Sequence, residues 1–459
     1  MNLALHLERP RNRGLIPTDA FTGAAGGGAC GDLVRISLGF DGERITEVGF
    51  DASGCGATIA AGSAVVALVQ QRTLLDAARL GSEAIARELG GLSVAKRHAA
   101  ELAADALHRA LGHAARRAAL APVAGRRVVA LSGGVDSAVA ALLTGSRAIG
   151  VTLELWSDPA SDGEKSCCSA QAVRAARDLA HSLGLPHLSL DLRAEFRRGV
   201  VEPWLAGHVA GLTPNPCVRC NGEVRLDAMI ELADRLGAEA LVTGHYARVS
   251  DGLLRVAADR EKDQSYSLAA VSPGSLGRLR FPLGELRKGE TRELARRHGL
   301  PVAAKPDSQD LCFLAGTGRD AFFARHGAIG ARDGAIVDPR GRELGRHEGA
   351  HRYTVGQRKG LGIGGGQPLY VLRTDVDANT ITVGPREALA TRAVRLRDTV
   401  LHGRSFDRVR LRYRQPPLRA HHLRGDLLEL DEPAYGVAPG QLACFMDGEL
   451  VVGHATVDR

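Results

Sequence analysis

The spacing of hydrophobic and polar positions changes along the chain and predicts three kinds of structure. In the first part, short runs that alternate between apolar and polar residues predict two strands, and longer apolar runs predict helices. The strands cover 33–40 and 45–52, and the helices cover 59–71 and 93–119. Ala121-Pro122 ends this unit, because proline does not continue a helix. We therefore expect a first domain of the α+β type over residues 1–122.

The middle of the chain alternates between buried strands and amphipathic helices. Strand-like runs occur at 126–131, 148–155, 187–192 and 240–246, and helical patterns occur at 138–145 and 169–185. This alternation predicts an α/β fold with a doubly wound parallel sheet, in which ligands bind at the carboxyl ends of the strands. We expect this domain to span residues 123–322.

Beyond about residue 325, helical patterns give way to short alternating strands and Gly-rich turns. The clearest strand-like runs are 409–414, 427–430 and 442–457. Such a pattern predicts a small C-terminal antiparallel β-barrel, which we place at residues 387–459. A small linker domain over residues 323–386 would connect it to the α/β domain.

Composition excludes several classes of protein. Hydrophobic residues make up 44% and charged residues 24% of the 459 residues, as in ordinary globular domains. The chain contains no apolar run of the roughly 18 residues that a membrane span needs. Its N-terminus has charged residues where a signal peptide would be apolar. We therefore expect a cytoplasmic protein without a membrane partner.

The positive charge is concentrated in one segment. The chain has a net charge of +7, and only six of its 59 basic residues are lysines. Residues 392–424 contain ten arginines and two aspartates, which accounts for the whole excess. Within this segment Arg408, Arg410, Arg412 and Arg414 alternate with other residues, so on a strand they would share one face. An RNA phosphate backbone would relieve the repulsion among them.

A glycine-rich segment follows the first strand of the α/β domain and begins a helix. It reads Ser132-Gly133-Gly134-Val135-Asp136-Ser137, and it differs from a Walker loop because no Gly-Lys-Ser/Thr follows. Glycines allow close approach to phosphate, and free N–H groups at a helix start bind its oxygens. The segment resembles the phosphate loop of the PP-loop ATP pyrophosphatases. That resemblance implies ATP and Mg²⁺ as cofactors, with Leu153 and Gly244 near the adenosine. It also implies a phosphate-binding segment made of Ala130, Leu131, Ser132, Gly133, Gly134, Val135, Asp136 and Ser137.

Three of the eight cysteines lie in motifs. Cys217 and Cys220 form a CxxC pair, which by itself is compatible with zinc, redox or cluster roles, and Cys312 lies downstream. Cys167, Cys168 and Cys444 match no motif and are interpreted as ordinary thiols. From Arg126 to the C-terminus, the chain resembles the tRNA 2-thiouridylases. The matching segments are 213–221, 243–248, 262–266, 307–313, 353–362, 412–415 and 438–441.

The resemblance implies an enzyme that adenylates O2 of a wobble uridine in tRNA and replaces this oxygen with sulfur. Cys312 would carry the sulfur as a persulfide, and Cys220 would attack or release it. Many family members have aspartate where this chain has Cys217. Three thiolates can instead hold a [4Fe–4S] cluster with one open iron, and the residue types favour this second route.

The same resemblance implies a set of residues that contact tRNA. Those near the unstacked target base or the tRNA backbone would be Asn215, Pro216, Cys217, His245, Lys262, Asp263, Gln264, Arg412, Tyr413 and Gln441. His245 has an equally plausible alternative role as a structural histidine within the core.

The first domain is similar to the IscU/NifU-type iron–sulfur scaffolds. Cys30, Asp32, Cys55 and His98 occupy positions that form a zinc or cluster site in that family. Ala99 stands where the family has its third cysteine. We therefore favour docking of a cysteine desulfurase or another sulfur relay protein, or weak metal binding, over complete cluster assembly.

Two other functions remain open at the level of sequence. The chain could be a non-enzymatic iron–sulfur or sulfur carrier with a vestigial phosphate loop, although the intact loop argues against this. Alternatively, it could thiolate another nucleotide, although the arginine-rich segment argues for RNA.

Overall fold

The computed structural model shows four sheets in the residues that it describes. Among them, no helix is long and apolar enough to cross a membrane. The described residues are 2–26, 31–158, 169–307, 311–314, 316–327, 330–364, 366–403 and 405–459.

Helices and a three-stranded antiparallel sheet form the N-terminal domain. The strands are β1 (Phe21–Gly26), β2 (Leu33–Asp41) and β3 (Arg44–Ser53), in that spatial order. The helices are α1 (Asn2–Glu8), α2 (Gly56–Val69), α3 (Leu74–Ala77), α4 (Ser82–Glu88) and α5 (Arg97–Ala115). The two strands and two helices predicted here are present. β1 was not predicted, because its Gly- and Ala-rich sequence has low β-propensity.

The second domain contains the predicted parallel sheet, with strand order β10-β7-β4-β5-β6. Its strands are β4 (Arg127–Ala130), β5 (Ala148–Glu154), β6 (His187–Asp191), β7 (Ala240–Val242) and β10 (Leu279–Arg280). The hairpin of β8 (Arg248–Ser250) and β9 (Leu253–Arg255) lies between β7 and β10 in sequence but belongs to the C-terminal antiparallel sheet. The longer helices are α6 (Val135–Thr144), α7 (Ala170–Ser182), α9 (Glu202–Val209), α11 (Leu226–Arg235), α14 (Lys288–Arg297) and α15 (Arg319–His326). Shorter helices are α8 (Arg193–Phe196), α10 (Pro216–Arg219), α12 (Ser265–Leu268) and α13 (Pro273–Arg278).

Two further sheets form the C-terminal part. A four-stranded sheet contains β11 (Gly334–Val337), β12 (Glu343–His347), β13 (Tyr370–Asp375) and β14 (Thr380–Gly384). The last sheet is antiparallel and curled. Its strands are β15 (Ala390–Leu401), β16 (Arg408–Arg410), β17 (Leu418–Arg419), β18 (His422–Arg424), β19 (Leu427–Tyr435), β20 (Leu442–Asp447) and β21 (Leu450–Val457). Strand β9 pairs with β21 and so joins this sheet to the α/β domain.

The N-terminal domain packs tightly against the α/β domain. Helix α5 lies on the edge strand β6, and Gly112 allows the closest approach, because a Cβ there would lie 1.8 Å from the carbonyl oxygen of Ser189. Asp105 of α5 pairs with the buried Arg177 of α7 at 2.8 Å. Buried residues of both domains belong to one hydrophobic cluster. The two domains therefore share a core.

Candidate active site

The glycine-rich segment forms the predicted turn between β4 and α6. Gly133 has a φ of +69°, which favours glycine, and Gly134 precedes the helix. The Ser137 hydroxyl accepts a hydrogen bond from the backbone N–H of Ser132 at 3.1 Å and so braces the turn. Gly244 packs behind it, since a Cβ there would lie 2.8 Å from the backbone of Asp136 and Ser137.

A cavity of about 1350 Å³ opens at the carboxyl end of the parallel sheet. Seven of the ten predicted ATP-binding residues line it: Ala130, Leu131, Ser132, Asp136, Ser137, Leu153 and Gly244. Gly133 and Gly134 lie in the same turn, and Val135 begins α6 with its side chain buried in the core. The cavity thus lies where a parallel α/β sheet binds its ligand.

All three motif cysteines line this same cavity. Cys217 lies in α10, where the Asn215 side chain accepts a hydrogen bond from its backbone N–H at 3.1 Å. Cys220 is buried one turn later, and Cys312 is half-buried on the opposite segment. The neighbouring Phe313 anchors that segment by packing against Trp204, with a centroid distance of 5.2 Å. The fold therefore brings thiols that are far apart in sequence to the nucleotide loop.

The thiol of Cys217 is exposed to the cavity but is surrounded by protein. Desolvation raises its pKa, and the positive charge of Arg225 only partly opposes this effect. Among the described residues, the three cavity thiols do not converge closely enough to bind a single metal ion. The ligands of a four-iron cluster bind different irons, so thiols that are spaced more widely than the ligands of one ion are compatible with such a cluster.

Basic side chains surround the phosphate loop, and sequence analysis did not assign them to it. Lys288 Nζ lies 2.8 Å from both carboxylate oxygens of Asp136. Lys305 Nζ donates to the carbonyl oxygen of Gly133 at 2.9 Å. Asp307 pairs with Lys262, Lys288 and Arg292. Burial raises the pKa of Asp307, but hydrogen bonds from Lys288 and Lys262 outweigh this and hold it at about 2. These four cations exceed the two carboxylates, which suits the site to a polyphosphate.

His245 lines the cavity, but both of its ring nitrogens contact protein. Arg225 donates to Nε2 at 3.0 Å, so Nδ1 carries the proton and faces the Thr243 hydroxyl at 2.8 Å. Burial lowers the pKa of His245 to about 3, with a further contribution from the charge of Arg225. His245 is therefore a neutral residue of the cavity wall, and it does not act as an acid near neutral pH.

This assignment predicts how a His245→Gln variant responds to pH. The pKa in the folded state lies below the unfolded value of about 6.5, so the unfolded chain binds an extra proton as pH falls below 6.5. Between pH 7.5 and pH 5, the wild type should lose on the order of 2 kcal/mol more stability than the variant. Urea denaturation at both pH values measures this difference. Equal pH dependence in the two proteins would contradict the assignment.

The predicted tRNA contacts in the Lys262-Asp263-Gln264 motif separate into different roles. Gln264 lines the cavity, and its side-chain oxygen accepts from the Tyr246 backbone N–H at 2.9 Å. Asp263, which is predicted to lie near the target base, is buried. Its carboxylate accepts from the Ser265 hydroxyl at 2.8 Å and pairs with Arg410 at 2.9 Å. Asp263 therefore stabilises the residues around the cavity through these two contacts.

The prediction that Arg408, Arg410, Arg412 and Arg414 share one face of a strand is wrong. Strand β16 ends at Arg410, and Arg414 adopts a left-handed conformation with a φ of +63°. Arg410 turns inward to Asp263, and burial lowers the pKa of Arg412. Only Tyr413 and Arg414 of this segment line the cavity. Gln441 lies away from the cavity lining and donates to the Thr213 carbonyl oxygen at 2.5 Å.

A second cluster lies in the N-terminal domain. Ligand atoms of Asp32, Cys55 and His98 lie within 4.8 Å of one another, and Thr58 donates to Asp32 at 2.6 Å. The Thr58 hydrogen bond is the largest cause of the lowered Asp32 pKa, which burial opposes and the His98 hydrogen bond reinforces. Ala99 is fully buried in α5 and offers no ligand. Of the predicted ligands, Cys30 lies outside the described residues, as do the motif-free Cys167 and Cys168.

Models of four known protein families match successive parts of the chain, in the same order as the domains described above. Family models match as a NifU-like N terminal domain (2–120), a tRNA methyl transferase HUP domain (126–316), a tRNA methyl transferase PRC-barrel domain (321–385) and an aminomethyltransferase beta-barrel domain (393–457).

Several relatives match the chain over long stretches, and two of them serve as examples. A protein of Rubrobacter xylanophilus named bifunctional protein NifU/MnmA is 43% identical over 478 residues, which cover 99% of this chain and 97% of that protein. The tRNA-specific 2-thiouridylase MnmA of Zymomonas mobilis subsp. mobilis is 42% identical over 72% of this chain and 92% of its own length. A solved structure of the N-terminal part of a NifU-like protein from Brucella abortus is 21% identical. It covers 25% of this chain and 80% of that structure's chain, with a TM-score of 0.17.

Proposed function

Because the chain belongs to the bifunctional NifU/MnmA family, we propose that it is an ATP-dependent tRNA 2-thiouridylase that acts on the wobble uridine. The observation that carries this proposal is that the phosphate loop and three cysteines open onto one cavity. Under this proposal each predicted domain has one role. Residues 1–122 supply sulfur and residues 123–322 catalyse the reaction. Residues 323–386 link the catalytic domain to residues 387–459, which bind tRNA.

The first chemical step makes the uracil oxygen a leaving group. O2 of the uridine attacks the α-phosphorus of ATP, and pyrophosphate leaves. Backbone N–H groups at the start of α6 and the cations around the loop bind the phosphates. Asp136 is the carboxylate that lines the cavity among the described residues, so it would help hold Mg²⁺, which neutralises pyrophosphate charge.

The second step transfers sulfur. The terminal sulfur of a Cys312 persulfide attacks C2 of the base, and AMP leaves with the former O2. The Cys220 thiolate then attacks the Cys312 sulfur, which breaks the S–S bond, leaves sulfur on C2 and forms a Cys220–Cys312 disulfide. A thiol reductant resets the pair. If Cys217, Cys220 and Cys312 hold a four-iron cluster instead, that group supplies sulfide at its open iron.

The raised pKa of Cys217 bears on which of the two sulfur routes uses this residue. Its raised pKa leaves it protonated near neutral pH unless a cation binds it, so alone it is a weak nucleophile. An iron ion would deprotonate it outright. The raised pKa of Cys217 thus disfavours its use as a free thiolate and is compatible with a role as an iron ligand, whereas the persulfide route requires only Cys220 and Cys312.

The N-terminal domain would supply sulfur to the catalytic domain. Asp32, Cys55 and His98 form a set of ligands that suits zinc or a cluster in transit. Since the third cysteine is replaced by the buried Ala99, this site is better suited to docking a cysteine desulfurase or sulfur relay protein than to complete cluster assembly.

Exposed arginines of the C-terminal sheet provide a surface for tRNA. The side chains of Arg395 and Arg397 on β15 are 58% and 46% exposed. Together with Arg414 at the cavity rim they can contact phosphates on either side of an unstacked base.

The activation step can be tested without any sulfur source. We expect pyrophosphate formation from ATP to rise when an unmodified tRNA transcript is added, because attack of uridine O2 on the α-phosphorus releases pyrophosphate, whereas AMP leaves only in the sulfur step. The matched control is the same transcript with cytidine at the wobble position, which should not stimulate. Equal stimulation by both transcripts would contradict activation of the wobble uridine. A rate of ATP cleavage that does not change when tRNA is added would contradict the proposed function.

A further inference from the structure

Lysine is rare in this chain, yet three of its six lysines lie around the phosphate loop. Lys262, Lys288 and Lys305 come from separate segments of the α/β domain. An ammonium group is compact and donates three hydrogen bonds, so it suits a site where one cation must bridge several oxygens. Their convergence in an arginine-rich protein indicates a specific role.

Lys288 uses all three of its donors in this structure. Its Nζ lies 2.8 Å from Oδ1 and Oδ2 of Asp136 and 2.9 Å from Oδ1 of Asp307. Asp136 belongs to the phosphate loop, whereas Asp307 lies five residues before Cys312. Lys288 therefore connects the nucleotide loop to the segment that leads to a catalytic thiol.

Residues 303–307 form a strap along α14. Arg292 of that helix donates to the carbonyl oxygens of Ala303 and Lys305 and pairs with Asp307 at 2.8 Å. The strap also contacts the phosphate loop directly through Lys305 and Gly133. A change in the contacts of Asp307 is thus transmitted to a segment that already lies against the loop.

Bound ATP must change this arrangement. A phosphate oxygen near Asp136 would compete with the carboxylates for the ammonium group of Lys288. Because this group has only three N–H donors, all of them in use, it can bind the phosphate only if it releases one of its present acceptors. Phosphates near Asp136 repel its carboxylate, and Mg²⁺ competes for the same oxygens. Asp307 has no such competitor within the loop, so the contact to Asp136 is the one that is exchanged.

We propose that Lys288 is a positioning residue that moves from Asp136 to the phosphates of bound ATP while it keeps Asp307, and thereby couples nucleotide binding to the segment that carries Cys312. This inference rests on the proposed function, because it takes ATP as the nucleotide. Its consequence is that amide hydrogens in peptides that contain Asp307 and Cys312 exchange more slowly when the activating nucleotide is bound.

Hydrogen exchange on the full chain tests this coupling. With saturating Mg²⁺ and a non-hydrolysable ATP analogue, the wild type should show slower exchange both in the phosphate loop and in peptides that contain Asp307 and Cys312. Lys288→Met should keep protection of the loop at saturation but lose protection of the Cys312 peptides. Its dissociation constant for the analogue should rise by about tenfold, as expected for one hydrogen bond to a charged group. Lys288→Arg should restore much of the protection, and the exposed Lys359→Met should behave as wild type.

The possible results separate the inference from the proposed function. Protection of the Cys312 peptides in Lys288→Met equal to wild type would overturn the inference, and so would a wild type that protects the loop alone. Absence of protection in the loop itself would show that ATP does not bind there, which would contradict the proposed function as well.

Discussion

Replacing Gly112 by alanine should strongly destabilise the protein, although alanine is the better helix former. Intrinsic propensity alone would stabilise α5 by about 0.5–1 kcal/mol. However, the new Cβ would lie 1.8 Å from the backbone carbonyl oxygen of Ser189, and neither the helix nor the edge strand can move without disturbing the shared core. We expect a net loss of about 3 kcal/mol, at the upper end of the cost of overpacking.

The measurement is urea denaturation combined with limited proteolysis of the segment between the two domains. Gly112→Ala should lower the unfolding midpoint and speed cleavage near residues 121–125. The matched control is Gly277→Ala in α13, where a Cβ would meet nothing within 4 Å. That variant should be neutral or slightly more stable. If both alanine variants behaved alike, the tight packing of the N-terminal domain on β6 would be contradicted.

Removing either thiol of the Cys220–Cys312 pair should abolish thiolation but not activation. Cys312→Ser and Cys220→Ser should each lower the rate of 2-thiouridine formation by at least about 10³-fold, because a hydroxyl neither carries nor releases sulfur. The phosphate loop is untouched, so tRNA-dependent pyrophosphate formation in a single turnover should stay within a few-fold of wild type. Both sulfur routes predict this separation, since both use these two thiols.

The control for the second prediction is a cysteine outside the cavity. Cys55 lies in the N-terminal cluster and outside the cavity lining, so Cys55→Ser should leave tRNA-dependent pyrophosphate formation unchanged and, where sulfide alone supports thiolation in the wild type, that thiolation as well. Loss of tRNA-dependent pyrophosphate formation in Cys312→Ser would indicate that this cysteine acts in nucleotide binding. Retention of thiolation in that variant would exclude it from sulfur transfer.

The fold and the nucleotide loop could be predicted because their signals are local. The sequence SGGVDS between an apolar strand and a helix meets the requirements of an anion site within six residues. The alternation of strands and helices likewise indicated the parallel sheet. By contrast, β1 forms from a Gly- and Ala-rich segment only because it pairs along the length of β2, and this is a property of the assembled domain.

The rest of the site depends on long-range pairing. The alternation in 408–414 favoured a continuous strand, but the buried carboxylate of Asp263 draws Arg410 inward and the strand ends there. The prediction for Asp263 comes from the family resemblance, and the burial of its carboxylate cannot be inferred from the sequence. The cations around the loop come from segments that meet only in the folded domain, and the scarcity of lysine was the one available signal.

The most direct test of the account is to look for 2-thiouridine itself. Anaerobically purified protein would be incubated with ATP, Mg²⁺ and unmodified tRNA, either with sulfide alone or with a cysteine desulfurase and cysteine, and the digested tRNA analysed by mass spectrometry. Wild type and Cys217→Ala would be compared side by side. The account predicts ATP-dependent 2-thiouridine in the wild type under at least one sulfur supply. Product from sulfide alone that vanishes in Cys217→Ala, together with bound iron, would identify the cluster route, whereas product that needs the desulfurase and survives in Cys217→Ala would identify the persulfide. Absence of 2-thiouridine under both supplies would contradict the central claim.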